Sequence, residues 1–83
     1  MNDLCGSFGQ TVRRLRDVRR WSQEVLAEKA GLNRSYVGEV ERGEVVPSLI
    51  TLEKLALAFG VTLSELLKYC ERIKDTRSVV MLD

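Results

Sequence analysis

Histidine is absent from this chain of 83 residues, and proline and cysteine are scarce, with Pro47, Cys5 and Cys70 the only examples. Without histidine the commonest general base is missing, and no serine or cysteine stands in a recognisable nucleophile setting such as a strand-to-helix elbow, so no enzymatic activity is expected. A structural zinc site needs about four Cys or His ligands, which two distant cysteines cannot supply, and no cofactor is expected. No apolar run approaches the roughly 20 residues needed to cross a bilayer, so no membrane partner is expected either. The opening segment MNDLCGSFGQ lacks the positive start and long apolar centre of a secretory signal, which predicts a cytoplasmic protein with reduced thiols.

What is present suits one small soluble domain. Apolar residues make up 45% of the chain and charged residues 30%, enough for a single compact core. The expected division is a domain over residues 1–70 and a C-terminal extension or tail over 71–83. The net charge is only +1, but Arg13, Arg14, Arg16, Arg19 and Arg20 crowd together while acids such as Glu24, Glu28, Glu53, Glu65 and Glu71 lie elsewhere. Such a cluster is either a solvated helix face or a surface that attracts a polyanion.

The apolar spacing predicts five helices, and nothing outside residues 78–82 demands a strand. Phe8, Val12 and Leu15 mark a first helix from about Ser7 to Arg19. Ser22 caps a second, QEVLAEKA, with Leu26, Ala27 and Ala30 inward and Gly31 as its stop. Asn33 caps a third that runs to Arg42 and is stopped by Gly43. After the loop EVVP, Ser48 caps a fourth through Leu49, Leu52, Leu55, Ala56 and Phe59, ended by Gly60. Thr62 and Glu65 form a capping box for a fifth, with Leu63, Leu66, Leu67 and Cys70 on its apolar face and Ile73 as a possible continuation. The segment SVVML, residues 78–82, is open to three readings: a short strand, a docking tail or a disordered terminus.

The second and third helices are short and joined by a very tight turn, a geometry shared by helix-turn-helix DNA-binding units and by structural helix pairs in small bundles. The third helix buries Val37 and Val40 by its periodicity, yet Arg34, Ser35, Gly38, Glu39 and Arg42 fall on other parts of its wheel. LRDVRRWSQEVLAEKAGLNRSYVGEVERG, residues 15–43, together with Pro47, Ser48, Leu52, Leu55, Ala56 and GVTLSELL, resembles the Xre family of bacterial and phage regulators, relatives of the lambdoid repressors. The resemblance covers about Phe8 to Leu67.

It implies an all-α, five-helix, lambda-repressor-like helix-turn-helix domain that binds double-stranded operator DNA as a homodimer, with the third helix in the major groove. On that reading Arg34 takes guanine O6 and N7, while Ser35 and Glu39 approach neighbouring bases, Glu39 favouring a cytosine amino group. Ser22, Gln23, Asn33, Tyr36, Arg42 and Ser48 become phosphate-contact candidates, with core packing the alternative for Tyr36. Arg16 and Glu41 match a pair that forms a structural salt bridge in the family. Leu63, Leu66, Leu67, Tyr69 and Ile73, with the 79–82 tail, are the expected dimer contacts.

Three departures from the family pattern stand out. Arg20 occupies a position where relatives often carry glycine. Val25 replaces the usual acid or glutamine, which removes a full capping box from the second helix and suggests packing against the C-terminal extension. Glu44, Val45 and Val46 replace basic or small polar residues. The size matches the controller proteins of restriction-modification systems, and no small-molecule ligand is expected. The competing reading is an antitoxin-like or other protein-interaction module with secondary DNA binding, for which RSVVML is the best support.

Overall fold

A computed structural model describes residues 3–78 as five helices: α1 Asp3–Val18, α2 Gln23–Ala30, α3 Arg34–Glu41, α4 Leu49–Phe59 and α5 Leu63–Ser78. The helix caps are local devices. The Ser22 hydroxyl oxygen accepts from the Val25 amide, the Asn33 side chain from Ser35 and the Ser48 hydroxyl from Thr51. At the start of α5, Thr62 and Glu65 exchange hydrogen bonds of 2.8 and 3.1 Å, so two amides without helical partners are satisfied at once. The Thr62 hydrogen bonds, the backbone one foremost, hold the Glu65 carboxyl below the usual carboxylate range.

The core gathers one stripe from every helix, with Phe8, Val12, Leu26, Val37, Leu55, Phe59, Leu66 and Cys70 all buried. α1 begins at Asp3, earlier than the apolar spacing suggests, because packing overrides two glycines of poor helix propensity. Cys5, Ser7 and Gly9 are buried there, and the buried Thr11 hydroxyl donates to the Ser7 carbonyl at 2.9 Å. α5 also runs past the expected boundary at residue 70, as far as Ser78. Of the SVVML segment, residues 79–82 lie outside the described residues.

Gly9 marks where α1 crosses the end of α3. A methyl group there would stand 2.5 Å from the carbonyl oxygens of both Val40 and Glu41, far inside van der Waals contact. Two arginines of the basic cluster are likewise spent inside the fold. Arg19 donates to the Phe59 carbonyl at 2.7 Å and the Leu15 carbonyl at 3.1 Å. Its guanidinium lies 5.6 and 5.1 Å from the ring centres of Trp21 and Phe59, which stack 5.9 Å apart, so it ties the end of α1 to the end of α4. Arg16 is the second.

Arg20 ends α1 with φ at 59°, the only described non-glycine residue in the left-handed region. The amides of Arg20 and Trp21 return to Asp17 and Arg16 carbonyls at 3.0 and 3.1 Å, a termination that favours a residue without a Cβ. The family glycine expected here would adopt this backbone without the cost of a Cβ.

Candidate nucleic-acid interface

The second and third helices pack against each other through Leu26, Ala27, Ala30, Val37 and Val40, leaving the opposite face of α3 outward. Arg34 and Ser35 are exposed in its first turn, and Glu39 is half-exposed one turn on. With Gln23 at the start of α2, Gly38 and Arg42, they line one polar hollow of about 260 Å³. The structure thus brings together Arg34, Ser35, Glu39, Gln23 and Arg42. Gly38, which the helical wheel already placed away from the valines, had no contact role assigned to it, yet it forms the floor between Gln23 and Arg42, since a methyl group there would sit 3.6 and 3.1 Å from their polar ends.

Behind the hollow lies the Arg16–Glu41 pair. Arg16 Nε donates to Glu41 Oε2 at 2.7 Å and a terminal nitrogen donates to Oε1 at 3.0 Å, a two-pronged contact suited to the guanidinium plane. The other terminal nitrogen donates to the Trp21 carbonyl at 2.8 Å. The two side chains are only 13% and 4% exposed, so this is an interior brace joining α1, the α1–α2 turn and α3. The Glu41 hydrogen bonds raise the Arg16 pKa further above its basic value, against the opposing effect of burial. Gln23 joins the brace: its Nε2 donates to Glu41 Oε1 at 3.0 Å.

Other site residues are partly committed. The Ser48 hydroxyl is exposed but donates to Thr51 Oγ1 at 3.1 Å while accepting from the Thr51 amide, so the cap uses its proton. Ser22 and Asn33 act as caps through their oxygens, which leaves the serine proton and the asparagine NH₂ as donors. The Tyr36 ring packs against the core, the alternative raised by its sequence position, and only its hydroxyl has polar capacity. Arg42 is held by Glu44 at 2.8 and 3.2 Å. That contact raises the Arg42 pKa and depresses that of Glu44, so the acidic loop neutralises the cation nearest to it.

On α5, Leu66 is fully buried and belongs to the core of its own chain, which corrects its expected role in a dimer contact. Leu67 and Tyr69 are 38% and 37% exposed, Leu63 is half-buried, and the Ile73 side chain lies outside the described residues. Val25 is 37% exposed, and the side chains of its expected partner, the C-terminal extension, lie outside them from residue 72 onward. Among the described residues no helix is long and apolar enough to cross a membrane.

Comparison with known proteins agrees with this geometry. The helix-turn-helix family model matches residues 12–66. The chain is 40% identical over 72 residues to the immunity repressor protein of Bacillus phage phi105, covering 87% of this chain and 50% of that protein. It is 38% identical over 73 residues to control protein C.MunI of Mycoplasma sp, covering 87% of this chain and 99% of that protein. The chain thus spans half the length of the phage protein and nearly all of the control protein. The crystal structure of the restriction-modification controller protein C.AhdI from Aeromonas hydrophila superposes with a TM-score of 0.72 at 48% identity, over 75% of this chain and 94% of that one. The chain belongs to the helix-turn-helix family of Xre-like, DNA-binding transcriptional regulators.

Proposed function

We propose that this protein acts in the cytoplasm as a homodimeric, sequence-specific regulator that inserts α3 into the major groove of operator DNA. The observation that carries this reading is the convergence of exposed Arg34 and Ser35 with Glu39, Gln23 and Arg42 around one polar hollow on the side of α3 turned away from the core. An arginine in the first turn of such a helix approaches base edges most closely, and its guanidinium matches guanine O6 and N7. Ser35 and Glu39 read adjoining bases. Gln23, with Ser22, Asn33 and the Tyr36 hydroxyl, sets the register on the phosphates. Arg42 joins them once Glu44 releases it.

One such domain covers too little DNA for tight specific binding, which favours two copies on a two-fold site. Leu63, Leu67 and Tyr69 supply the apolar contact on α5, and Leu67 borders an apolar hollow of about 130 Å³ shared with Leu4, Phe8 and Val46.

Selection from a random duplex pool at stated salt, followed by competition binding, tests the reading. Arg34→Ala should weaken the selected site by roughly one to two orders of magnitude, the worth of about 1–3 kcal/mol for a bidentate base contact, while scrambled DNA is little affected. Gln23→Ala should weaken both alike. Equal loss on both duplexes for Arg34→Ala, with a shallower salt dependence, would make Arg34 a phosphate contact instead.

A second reading, an interaction module with secondary DNA binding, draws on α4. Leu49, Ile50 and Leu57 are 66%, 62% and 72% exposed there, more aliphatic surface than an isolated domain needs. A random pool that yields no enriched sequence would favour it.

A further inference from the structure

Gln23 is placed by a residue whose side chain is almost wholly buried. Its Nε2 donates to Glu41 Oε1 at 3.0 Å, and the same oxygen accepts from Arg16 at 3.0 Å. An ionised carboxylate only accepts hydrogen bonds, so it dictates which end of the Gln23 amide turns inward: the NH₂ must face Glu41 and the carbonyl oxygen must face away. That oxygen lies beside Gly38, 3.6 Å from where a Cβ there would stand. One N–H of the amide is thereby committed, and the other is left for a phosphate oxygen. A carboxylate next to the DNA backbone would ordinarily repel it. Here Arg16 balances the charge, and the Glu41 side chain is only 4% exposed.

We propose that Glu41 is a positioning residue for DNA binding, acting through Gln23, in addition to bracing α1 against α3; the proposal rests on the reading of Gln23 as a phosphate contact. Arg16 holds the carboxylate, the carboxylate holds the amide, and the amide meets the phosphate with its rotamer and polarity already set. A long polar side chain that is ordered before binding forfeits less entropy on contact.

The test is a double-mutant cycle with a mixed-sequence DNA duplex, at a temperature where melting curves show every variant folded. Glu41→Gln leaves one acceptor oxygen for the three N–H groups that the carboxylate takes from Arg16 and Gln23, so the Gln23 amide must share that oxygen with Arg16 or let go. It should weaken duplex binding about three- to tenfold, the range expected for ordering one side chain on contact. In a Gln23→Ala background the same change should cost nothing further. Equal loss from Glu41→Gln in both backgrounds overturns the positioning role alone. Gln23→Ala that leaves affinity unchanged overturns the phosphate reading, and the inference with it. A measurement on the unaltered protein stands beside the cycle should Glu41→Gln fail to fold: by ¹⁵N relaxation, the Gln23 side-chain NH₂ should be markedly more ordered than that of Gln10, the chain's only other glutamine, which is exposed. Equal mobility of the two amides overturns the proposal.

Discussion

Gly6 and Gly9 lie three residues apart in α1, and replacing each with alanine should shift stability in opposite directions. At Gly9 the added methyl would lie 2.5 Å from two carbonyl oxygens and 2.9 Å from the Glu41 carbonyl carbon. All three are backbone atoms, so no side chain can rotate aside and α1 must lift off α3 by roughly 1 Å. Overpacking of this kind costs about 1–3 kcal/mol, and rigid backbone on both sides puts the cost near the upper end. The gain in helix propensity returns only about 0.5–1 kcal/mol, leaving a net loss of about 2 kcal/mol. For a domain of this size that lowers the melting temperature by roughly 8–16 °C. At Gly6 the added methyl meets nothing within 4 Å, so the propensity gain stands alone and the melting temperature should rise by a few degrees. Thermal denaturation followed by circular dichroism, at one protein concentration for all three proteins, reads both shifts. A Gly9→Ala protein as stable as the parent would show that α1 and α3 do not meet at Gly9, and the brace between them would have to be redrawn.

Three further outcomes follow from the same geometry. Arg20→Gly should stabilise the fold by about 0.5 kcal/mol, because relief of a left-handed side chain, worth about 1–2 kcal/mol, exceeds the unfolded-state entropy that glycine adds; a lowered urea midpoint would contradict it. The Glu65 carboxyl is depressed by its Thr62 hydrogen bonds. Its contribution is therefore present above the ordinary carboxylate pKa and is lost as pH falls through the lower, folded value; Glu65→Gln should flatten that part of the acid limb in a stability-against-pH series, and an unchanged limb would count against the capping box as its source. Leu67→Lys should yield a folded monomer by light scattering at concentrations where the parent is a dimer. A dimer that persists would move the interface away from α5, toward the exposed aliphatics of α4.

The helix starts at Ser22, Asn33, Ser48 and Thr62–Glu65 were legible in the sequence because a cap depends on a side chain and an amide two or three residues away, whatever the rest of the chain does. The stops at Gly31 and Gly60 were legible for the same reason, since both lie in the left-handed region that a glycine enters freely. Those local signals, with the spacing of Leu26, Ala27, Ala30, Val37 and Val40, lead to two short helices joined by a tight turn, and the resemblance to the Xre family singles out the helix-turn-helix from a structural helix pair. A helical wheel separates Arg34, Ser35 and Glu39 from the buried valines, and the resemblance to the family is what assigns them a reading role. Tertiary structure decided what these signals cannot reach. The start of α1 at Asp3 depends on its packing against α3 and α5, and Gly9 acquires its meaning only where Val40 and Glu41 pass beside it. Arg19 looks like a surface cation until Phe59, 40 residues away, offers it a carbonyl and a ring. Leu66 and Leu67 are neighbours of one chemical type, and the direction of α5 against the core sends one inside and leaves the other partly exposed. The Gln23 amide and the Glu41 carboxylate are 18 residues apart; their polarity is set by one hydrogen bond that forms only when α2 and α3 have docked, and no local pattern records it.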